Sequence, residues 1–515
     1  MNVIPKINGP AALTTGACTL TSHSPAVQVS RDPALPQEGY TLSVQPDALL
    51  LCAADDAGEF YGMQTIAQLR EEGEVPCGVY QDAPKYPFRS YMLDVSRHFF
   101  PVEVIKRLLD QMARLKLNTF HWHLSDDQGF RIESKKIPRL NEIGSWRMEG
   151  EQKVGGYYTQ EEIREIVAYA QERFINVIPE IDLPGHTVSI VATFPELSCS
   201  GEPLAVAHGS GIFPRILCAG NDKVYDFLYA LLEEVCGLFP GPYFHIGGDE
   251  APKSEWEKCP RCQQRIQAEG LKDEEELQAW FTGKLVEFLE AQGKTVIGWN
   301  EILTPGTVSP KAIAQYWVET GAEAAAKEAE KGRRFVFSPV SSFYLDYPAA
   351  LVPLKSTYAT EPCILKDQPI PKDQVLGLEA PLWTERVTTA DHIERLTFPR
   401  LLALAENCWT WEKDWNDFKA RAKAYTAWLE NQGIAYTPVD ECDLQGAERA
   451  KLAGAQIVDV LYGFTTSITD PQERGKAMRE RCGQFIREFM KDKCSEEELQ
   501  LAEKAGLERV KALGF

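Results

Sequence analysis

Residues 90–124 read SYMLDVSRHFFPVEVIKRLLDQMARLKLNTFHWHL, and the reading of this stretch decides the fold. An apolar run at 90–95 leads into a stripe of Val104, Ile105, Leu108, Leu109, Met112 and Leu115, spaced for one face of a helix over 101–117. Lys106, Arg107, Asp110 and Arg114 take the opposite face, and Pro101 suits the first turn, where a missing N–H costs nothing. A second apolar run at 118–124 completes a strand–helix–strand unit.

Outward from this unit, similar short runs recur at 175–180, 243–248, 294–299, 313–318, 334–339 and 375–380. Helix-like stretches at 159–173, 221–237, 273–292 and 391–407 separate several of them. Eight strands alternating with helices predict an α/β fold, a (β/α)8 TIM-type barrel with insertions, over 87–437. A doubly wound sheet is the alternative, but no glycine-rich phosphate loop follows any run. Residues 1–86 read as a small α+β domain, with β-like runs at 40–44 and 48–52, a helix at 57–70, and a boundary marked by Pro84 and Pro87. Residues 438–515 read as a charged helical C-terminal domain whose purpose the sequence does not disclose.

With 44% apolar and 25% charged residues, the 515-residue chain has an ordinary globular composition. Its 54 basic and 75 acidic residues leave a net charge of −21, which repels phosphate backbones and argues against a nucleic-acid partner. No apolar run approaches the roughly 18 residues of a membrane span, so no membrane partner is expected. Met1 to Lys6 shows no charged segment followed by an apolar one, and thirteen scattered cysteines read as reduced thiols; the cytoplasm is the expected compartment. The state of assembly is left open, a homodimer included.

In such barrels the functional side chains sit where each strand ends. There the sequence gathers Asp94 and Arg97; His121, His123, Asp126 and Asp127; Glu180, Asp182 and His186; Asp249 and Glu250; Trp299, Asn300 and Glu301; Trp317; Tyr344 and Asp346; Trp383 and Glu385. Aromatic plates with carboxylates suit a sugar, which offers C–H faces to stack and hydroxyls to hydrogen-bond. The sharpest signal is Tyr243-Phe244-His245-Ile246-Gly247-Gly248-Asp249-Glu250. Two glycines let the chain turn abruptly, so both carboxylates can enter one pocket, where their proximity raises one pKa. A solvated Asp-Glu pair is the plainer reading, disfavoured by the strand end and the glycines.

Four ordered stretches carry a resemblance to a known family: Leu93–Phe99 (LDVSRHF), His123–Arg131 (HLSDDQGFR), Pro179–His186 (PEIDLPGH) and the Gly-Gly-Asp-Glu run. Over roughly residues 1–437 the chain resembles the family 20 glycoside hydrolases, the β-N-acetylhexosaminidases, with a zincin-like N-terminal domain lacking His-Glu-x-x-His. The resemblance implies an exo-acting, retaining enzyme on a carbohydrate substrate, a β-linked N-acetylhexosamine. It implies Glu250 as acid/base, Asp249 as the acceptor of the substrate's acetamido N–H, and Tyr344 as donor to the acetamido oxygen, which is the nucleophile. It further implies Trp299, Trp317 and Trp383 as a box for the acetamido methyl and sugar face. Arg97, Asp346 and Glu385 would hold the ring hydroxyls, and Asp126 with His186 would form a supporting pair, Asp126 being preferred over Asp127 on spacing.

Plainer roles compete. Trp317 could be barrel filling, Tyr344 and Asp346 could be packing, Arg97 could simply pair with Asp94, and Glu180 and Glu301 could orient other groups. A metal-dependent barrel hydrolase would use His121 and His123, but only His186 and His245 could join them; packed histidines near the pocket floor are the favoured reading. Cys259-Pro260-Arg261-Cys262 has no second pair at ligand spacing and reads as a one-turn structural contact. No metal and no cofactor are expected. An inactive carbohydrate-binding protein would lack Glu250, and an endo-acting chitinase would carry a spaced-Asp signature that is not found.

Overall fold

Each of the eight apolar runs forms a parallel strand, and the strands close into a barrel in chain order: Phe88–Asp94, Thr119–His123, Asn176–Glu180, Tyr243–His245, Thr295–Trp299, Ile313–Tyr316, Phe335–Phe337 and Val375–Leu382. The computed structural model describes residues 1–21, 25–303, 308–365, 368–464, 470–490 and 494–515. Phe88, Ile178, Ile297, Ile313 and Val336 fill the end where the strands begin. Above them the interior turns polar: Glu379 accepts from Ser90 Oγ at 2.7 Å and from Gln315 Nε2 at 2.6 Å. Register then places chemistry at one height, with Asp94 beside His123, His123 beside Glu180, and Glu180 beside His245.

The outer helices follow the sequence periodicity. Val102–Arg114 buries Ile105, Leu108, Leu109 and Met112, and Gln160–Gln171 begins with a capping box between Thr159 and Glu162. The helix expected over 391–407 is two, Ala390–Thr397 and Arg400–Trp409, because Pro399 has no N–H to continue the ladder. Long insertions follow the second and seventh strands, carrying the hairpin Trp146–Gly155 and the short helices Val340–Phe343 and Leu354–Ala359.

The N-terminal residues form a five-stranded sheet in the order Pro10–Thr19, Glu74–Asp82, Tyr40–Gln45, Ala48–Ala53, Val27–Arg31, with helix Asp56–Glu72 packed on it. The sequence pattern had shown only the two middle strands and the helix. Val27–Arg31 is largely solvent-facing, and Glu74–Asp82 is interrupted by Pro76 and Gly78, so neither shows a clean alternation.

Buried charge fastens this sheet to the barrel. Lys116, at the end of the first barrel helix, reaches Asp82 Oδ2 and the Tyr40 hydroxyl at 3.0 Å each, while Trp409 Nε1 donates to Asp82 Oδ1 at 2.9 Å. Burial pushes the Lys116 ammonium down in pKa, opposed by Asp82. Beside it, Arg89 Nη1 pairs with Glu38 at 2.6 Å.

At the other end of the chain, helices Gly446–Phe464, Pro471–Met490 and Glu496–Ala512 share a core of Ile457, Leu461, Met478, Ile486, Leu499 and Val510, joined by Ala350 and Leu351 of the barrel insertion. Gly454 lets the first and last of these helices touch: a Cβ there would lie 2.0 Å from the Ala502 carbonyl oxygen. Among the described residues, no helix is long and apolar enough to cross a membrane.

Removing one member of the buried pair strands the other. Lys116→Met should destabilise the protein by about 3–5 kcal/mol, and adding Asp82→Asn should recover part of the loss. Denaturant titration checks this; a Lys116→Met midpoint equal to that of the parent would contradict it.

Candidate active site

The turn after strand Tyr243–His245 is built by Gly247 (φ 64°) and Gly248 (φ 106°), both in the left-handed half of backbone space. A Cβ at 247 would lie 1.7 Å from Asp182 Oδ1, and one at 248 would lie 2.6 Å from Ile302 Cγ2. The sharp reversal buries Asp249 and leaves the Glu250 side chain 36% exposed at the rim. Glu250 (φ 47°) and His186 (φ 51°) are themselves left-handed without being glycine. Such positions cost about 1–3 kcal/mol and cluster where a side chain must be aimed.

Ten of the eleven site residues read from the sequence line one cavity of about 780 Å³, its open mouth included: Arg97, Asp126, His186, Asp249, Glu250, Trp317, Tyr344, Asp346, Trp383 and Glu385. The eleventh, Trp299, is not among the lining residues. It is 1% exposed and stands behind the others, tilted against Trp383 at 5.8 Å and edge-on to Trp317 at 6.2 Å, with its indole N–H donated to Glu180. Trp317 is not barrel filling: it faces the cavity, stacks with Tyr344 at 6.1 Å, and donates its N–H to Glu301 at 2.9 Å.

His186 sits between two carboxylate pairs. Its Nδ1 lies 3.2 Å from Asp127 and 3.3 Å from Asp126; its Nε2 lies 3.5 Å from Glu250 and 3.7 Å from Asp249. Burial opposes the imidazolium, but Asp126 and the other carboxylates hold its pKa well above the ordinary range. Of the two aspartates that the sequence offered, Asp126 lines the cavity and Asp127 does not, yet His186 is held by both; Asp127 also accepts from Val188 N–H at 3.0 Å. Asp126 instead joins His186 to Arg97, whose Nη2 is 3.0 Å away. Arg97 is braced by Asp94 at 3.3 Å and by Gln128 at 3.1 Å, and its guanidinium lies 4.9 Å over the Trp383 ring. The Asp94 pairing and the cavity position therefore coexist.

Crowded carboxylates set the protonation pattern. Burial, then the negative charge of Glu250, pushes Asp249 up to about 6 despite His186. Burial first, then the Asp249 charge, holds Asp182 well above the usual carboxylate range. Burial and Asp249 push Glu301 to about 8, and burial and Glu385 push Asp346 to about 7. Burial first, then Asp249, keeps the Tyr344 phenol protonated. Asp182 Oδ2, Asp249 Oδ1 and Asp346 Oδ1 are buried without a hydrogen-bond partner, which leaves three carboxyl oxygens on the cavity wall for a ligand.

The remaining lining residues include Asp182, Ser210, Tyr347, Arg386 and Val460. Asp182 carried the strand-end signal, and Arg386 follows Glu385; Ser210 and Val460 had no sequence signal. Val460 lies on the C-terminal helix Gly446–Phe464, so the segment read as an appendage borders the cavity.

Below the cavity, His121 is bonded to Glu379 at 3.0 Å, and His123 is bonded to Glu180 and, at 2.8 Å, to Asp126. His121, Glu180 and His245 bring ligand atoms within 4.8 Å of one another, as do Asp126, Asp182 and His186, and His186, Asp249 and Glu250. Cysteine spacing misled: Cys259 and Cys262 are not an isolated one-turn contact, because Cys199 and Cys218 bring their sulfurs within the same 4.8 Å.

A family model, glycosyl hydrolase family 20 catalytic domain, matches residues 86–412, and the family's domain 2 matches residues 8–83. A β-hexosaminidase of Porphyromonas gingivalis is 41% identical over 440 residues, 80% of this chain and 56% of that one. One from Vibrio furnissii is 37% identical over 402 residues, 73% of this chain and 66% of that one. The chain thus spans less than two thirds of the length of these curated relatives. An exo β-N-acetylglucosaminidase from Vibrio harveyi, solved with N-acetylglucosamine, aligns at a TM-score of 0.77 and 31% identity over 85% of this chain and 78% of that one. By its barrel, its preceding domain and the residues assembled at the strand ends, the chain belongs to glycosyl hydrolase family 20.

Proposed function

We propose that the protein is an exo-acting, retaining β-N-acetylhexosaminidase that removes terminal N-acetyl-D-hexosamine, as N-acetylglucosamine or N-acetylgalactosamine, from β-glycosides. The observation that carries this is a buried Asp249 oxygen without a partner, in one aromatic-lined cavity with the Tyr344 phenol and beside the exposed Glu250. The N-acetylglucosamine bound by the Vibrio harveyi relative supports a hexosamine in the same place.

Glu250, as its acid, protonates the glycosidic oxygen while the C1–O bond breaks and the aglycone leaves as an alcohol. The substrate's acetamido oxygen forms the new bond to C1, giving an oxazolinium-like ring. Asp249 accepts the acetamido N–H and faces the developing positive charge; Tyr344 donates to the oxygen and holds it in line. Water then adds to C1 as its proton passes to the Glu250 carboxylate, and the ring reopens with β configuration retained. His186, cationic and with its Nε2 3.5 Å from Glu250, holds that side chain towards the cavity. Trp317 and Trp383 box the acetamido methyl, with Trp299 backing them from behind, while Arg97, Asp346 and Glu385 bind the ring hydroxyls and close the non-reducing end. The same reading takes 1–86, 87–437 and 438–515 as three domains and a reducing compartment, the cytoplasm, as the location.

Aryl β-glycosides that differ at C2 test the activity: the acetamido sugar should turn over and the β-glucoside should be essentially inert. Comparable kcat/KM on both would sink the proposal. Glu250→Gln should cost about 10²–10⁴-fold on substrates with poor leaving groups and less on activated ones; equal small losses would remove Glu250 from its role.

Asp249→Asn should lower kcat far more than it raises KM, because the lost interaction strengthens as charge develops. The same change should stabilise the fold in mild alkali. The folded pKa of about 6 exceeds the ordinary 3.8, so this carboxyl adds stability below pH 3.8 that is lost as pH rises through about 6. The variant should therefore melt higher than the parent at pH 8, with the gap closing towards pH 4. A gap independent of pH, or of opposite sign, would contradict the crowding of these carboxyls.

A further inference from the structure

Cys199, Cys218, Cys259 and Cys262 are separated by up to 63 positions yet meet at one point. The chain leaves and re-enters this point as a loop: Ser198 and Leu217 form an antiparallel bridge, and Cys218 N–H donates to Leu197 O at 2.9 Å, setting Cys199 and Cys218 side by side. The other two come from the start of helix Pro260–Glu269, with Cys259 at its N-cap and Cys262 in its first turn. The sulfurs are 3.8 Å apart for Cys199–Cys262, 3.8 Å for Cys218–Cys259 and 3.6 Å for Cys218–Cys262. No pair is a disulfide, which needs about 2.05 Å. A tetrahedral ion with metal–sulfur bonds of about 2.3 Å requires sulfur–sulfur edges of about 3.8 Å.

Backbone and positive charge are pressed close around the four sulfurs. Gly220 N–H donates to Cys262, and a Cβ at 220 would lie 2.2 Å from the Arg261 carbonyl carbon, so the backbone is pressed onto the Cys-x-x-Cys turn. The Arg261 guanidinium is held beside the cluster by the Ser198 and Cys199 carbonyls at 2.9 and 3.2 Å, where it offsets negative charge. The helix N-terminus adds its positive end. Packing alone would bury each cysteine as a small hydrophobe, but it does not require four sulfurs from three separate segments to meet at one point.

We propose that these four cysteines, as thiolates, hold one structural Zn²⁺ outside the catalytic pocket. Binding releases the four thiol protons. Tetrahedral all-sulfur coordination fits zinc, needs no redox partner, and leaves no open position for catalysis. The ion closes the 199–218 loop, whose Ser210 lines the active-site cavity, and ties it to the segment that runs on from Glu250 to Cys259.

The full chain, freed of any affinity tag and purified without added chelator, should contain about one zinc per molecule. Its X-ray absorption fine structure should show four sulfur neighbours at about 2.3 Å. Cys218→Ser and Cys262→Ser should each bring zinc to background while Cys236→Ser keeps it, and titration of the parent with a mercurial should release the ion as thiols are capped. If the cysteine variants do not fold, the parent's metal content and sulfur shell still decide the matter. A zinc-poor protein whose four cysteines alkylate freely or map as disulfides would overturn the site. Stoichiometric iron with thiolate-to-iron absorbance would overturn the assignment to zinc.

Discussion

Glu180 is buried completely and carries a charge that everything around it must answer. His121 and His245 approach it at 3.0 Å each, Trp299 donates to it at 3.0 Å, and His123 is bonded to it. Burial works against its ionised form, yet these imidazoles, His123 foremost, hold its pKa well below the ordinary value. From it a chain of alternating charge runs both ways: inward through His121 to Glu379, outward through His123 to Asp126, and on to Arg97 and His186. Isolated buried charges of this number would be prohibitive; alternation lets each satisfy two neighbours. His121 is pushed up to about 9 between its two carboxylates, whereas burial pushes His245 down, so His245 ends the network as a neutral ring.

That network sorts the carboxyls of the site into two groups. Asp126 and Glu379 belong to the alternating chain and stay ionised against burial through their cationic neighbours. Asp182, Asp249 and Glu301 lie beyond it, buried and crowded with one another, and Asp346 is buried beside Glu385; the pKa values of all four are raised. Three carboxyl oxygens on the cavity wall, of Asp182, Asp249 and Asp346, are buried without a protein hydrogen-bond partner, an arrangement that calls for donors from a ligand.

The barrel was legible because a strand buried on both faces is a continuous apolar run, and eight such runs cannot easily arise otherwise. The site was legible because strand ends in this fold have one direction, so polar residues at those ends converge whatever the intervening loops do. Legibility failed where a feature depends on distance through space. Cys199 and Cys218 are 19 positions apart and join Cys259 and Cys262 only through the folded loop. Asp126 and Asp127 share His186 almost equally, a balance that no spacing rule resolves. Trp299 shows the strand-end signal but stands behind the cavity, and Val460 reaches it from helices that carry no signal at all. In the N-terminal sheet, a solvent-facing strand and an interrupted one lack the alternation that would have revealed them.

The central claim is that the nucleophile belongs to the substrate, with Asp249 and Tyr344 steering it. An aryl β-glycoside series with acetyl, fluoroacetyl, difluoroacetyl and trifluoroacetyl groups on the C2 nitrogen weakens that carbonyl oxygen stepwise while changing its size little. The account predicts that kcat/KM falls steeply with each fluorine, by orders of magnitude across the series. A flat series would place the nucleophile on the protein and contradict it.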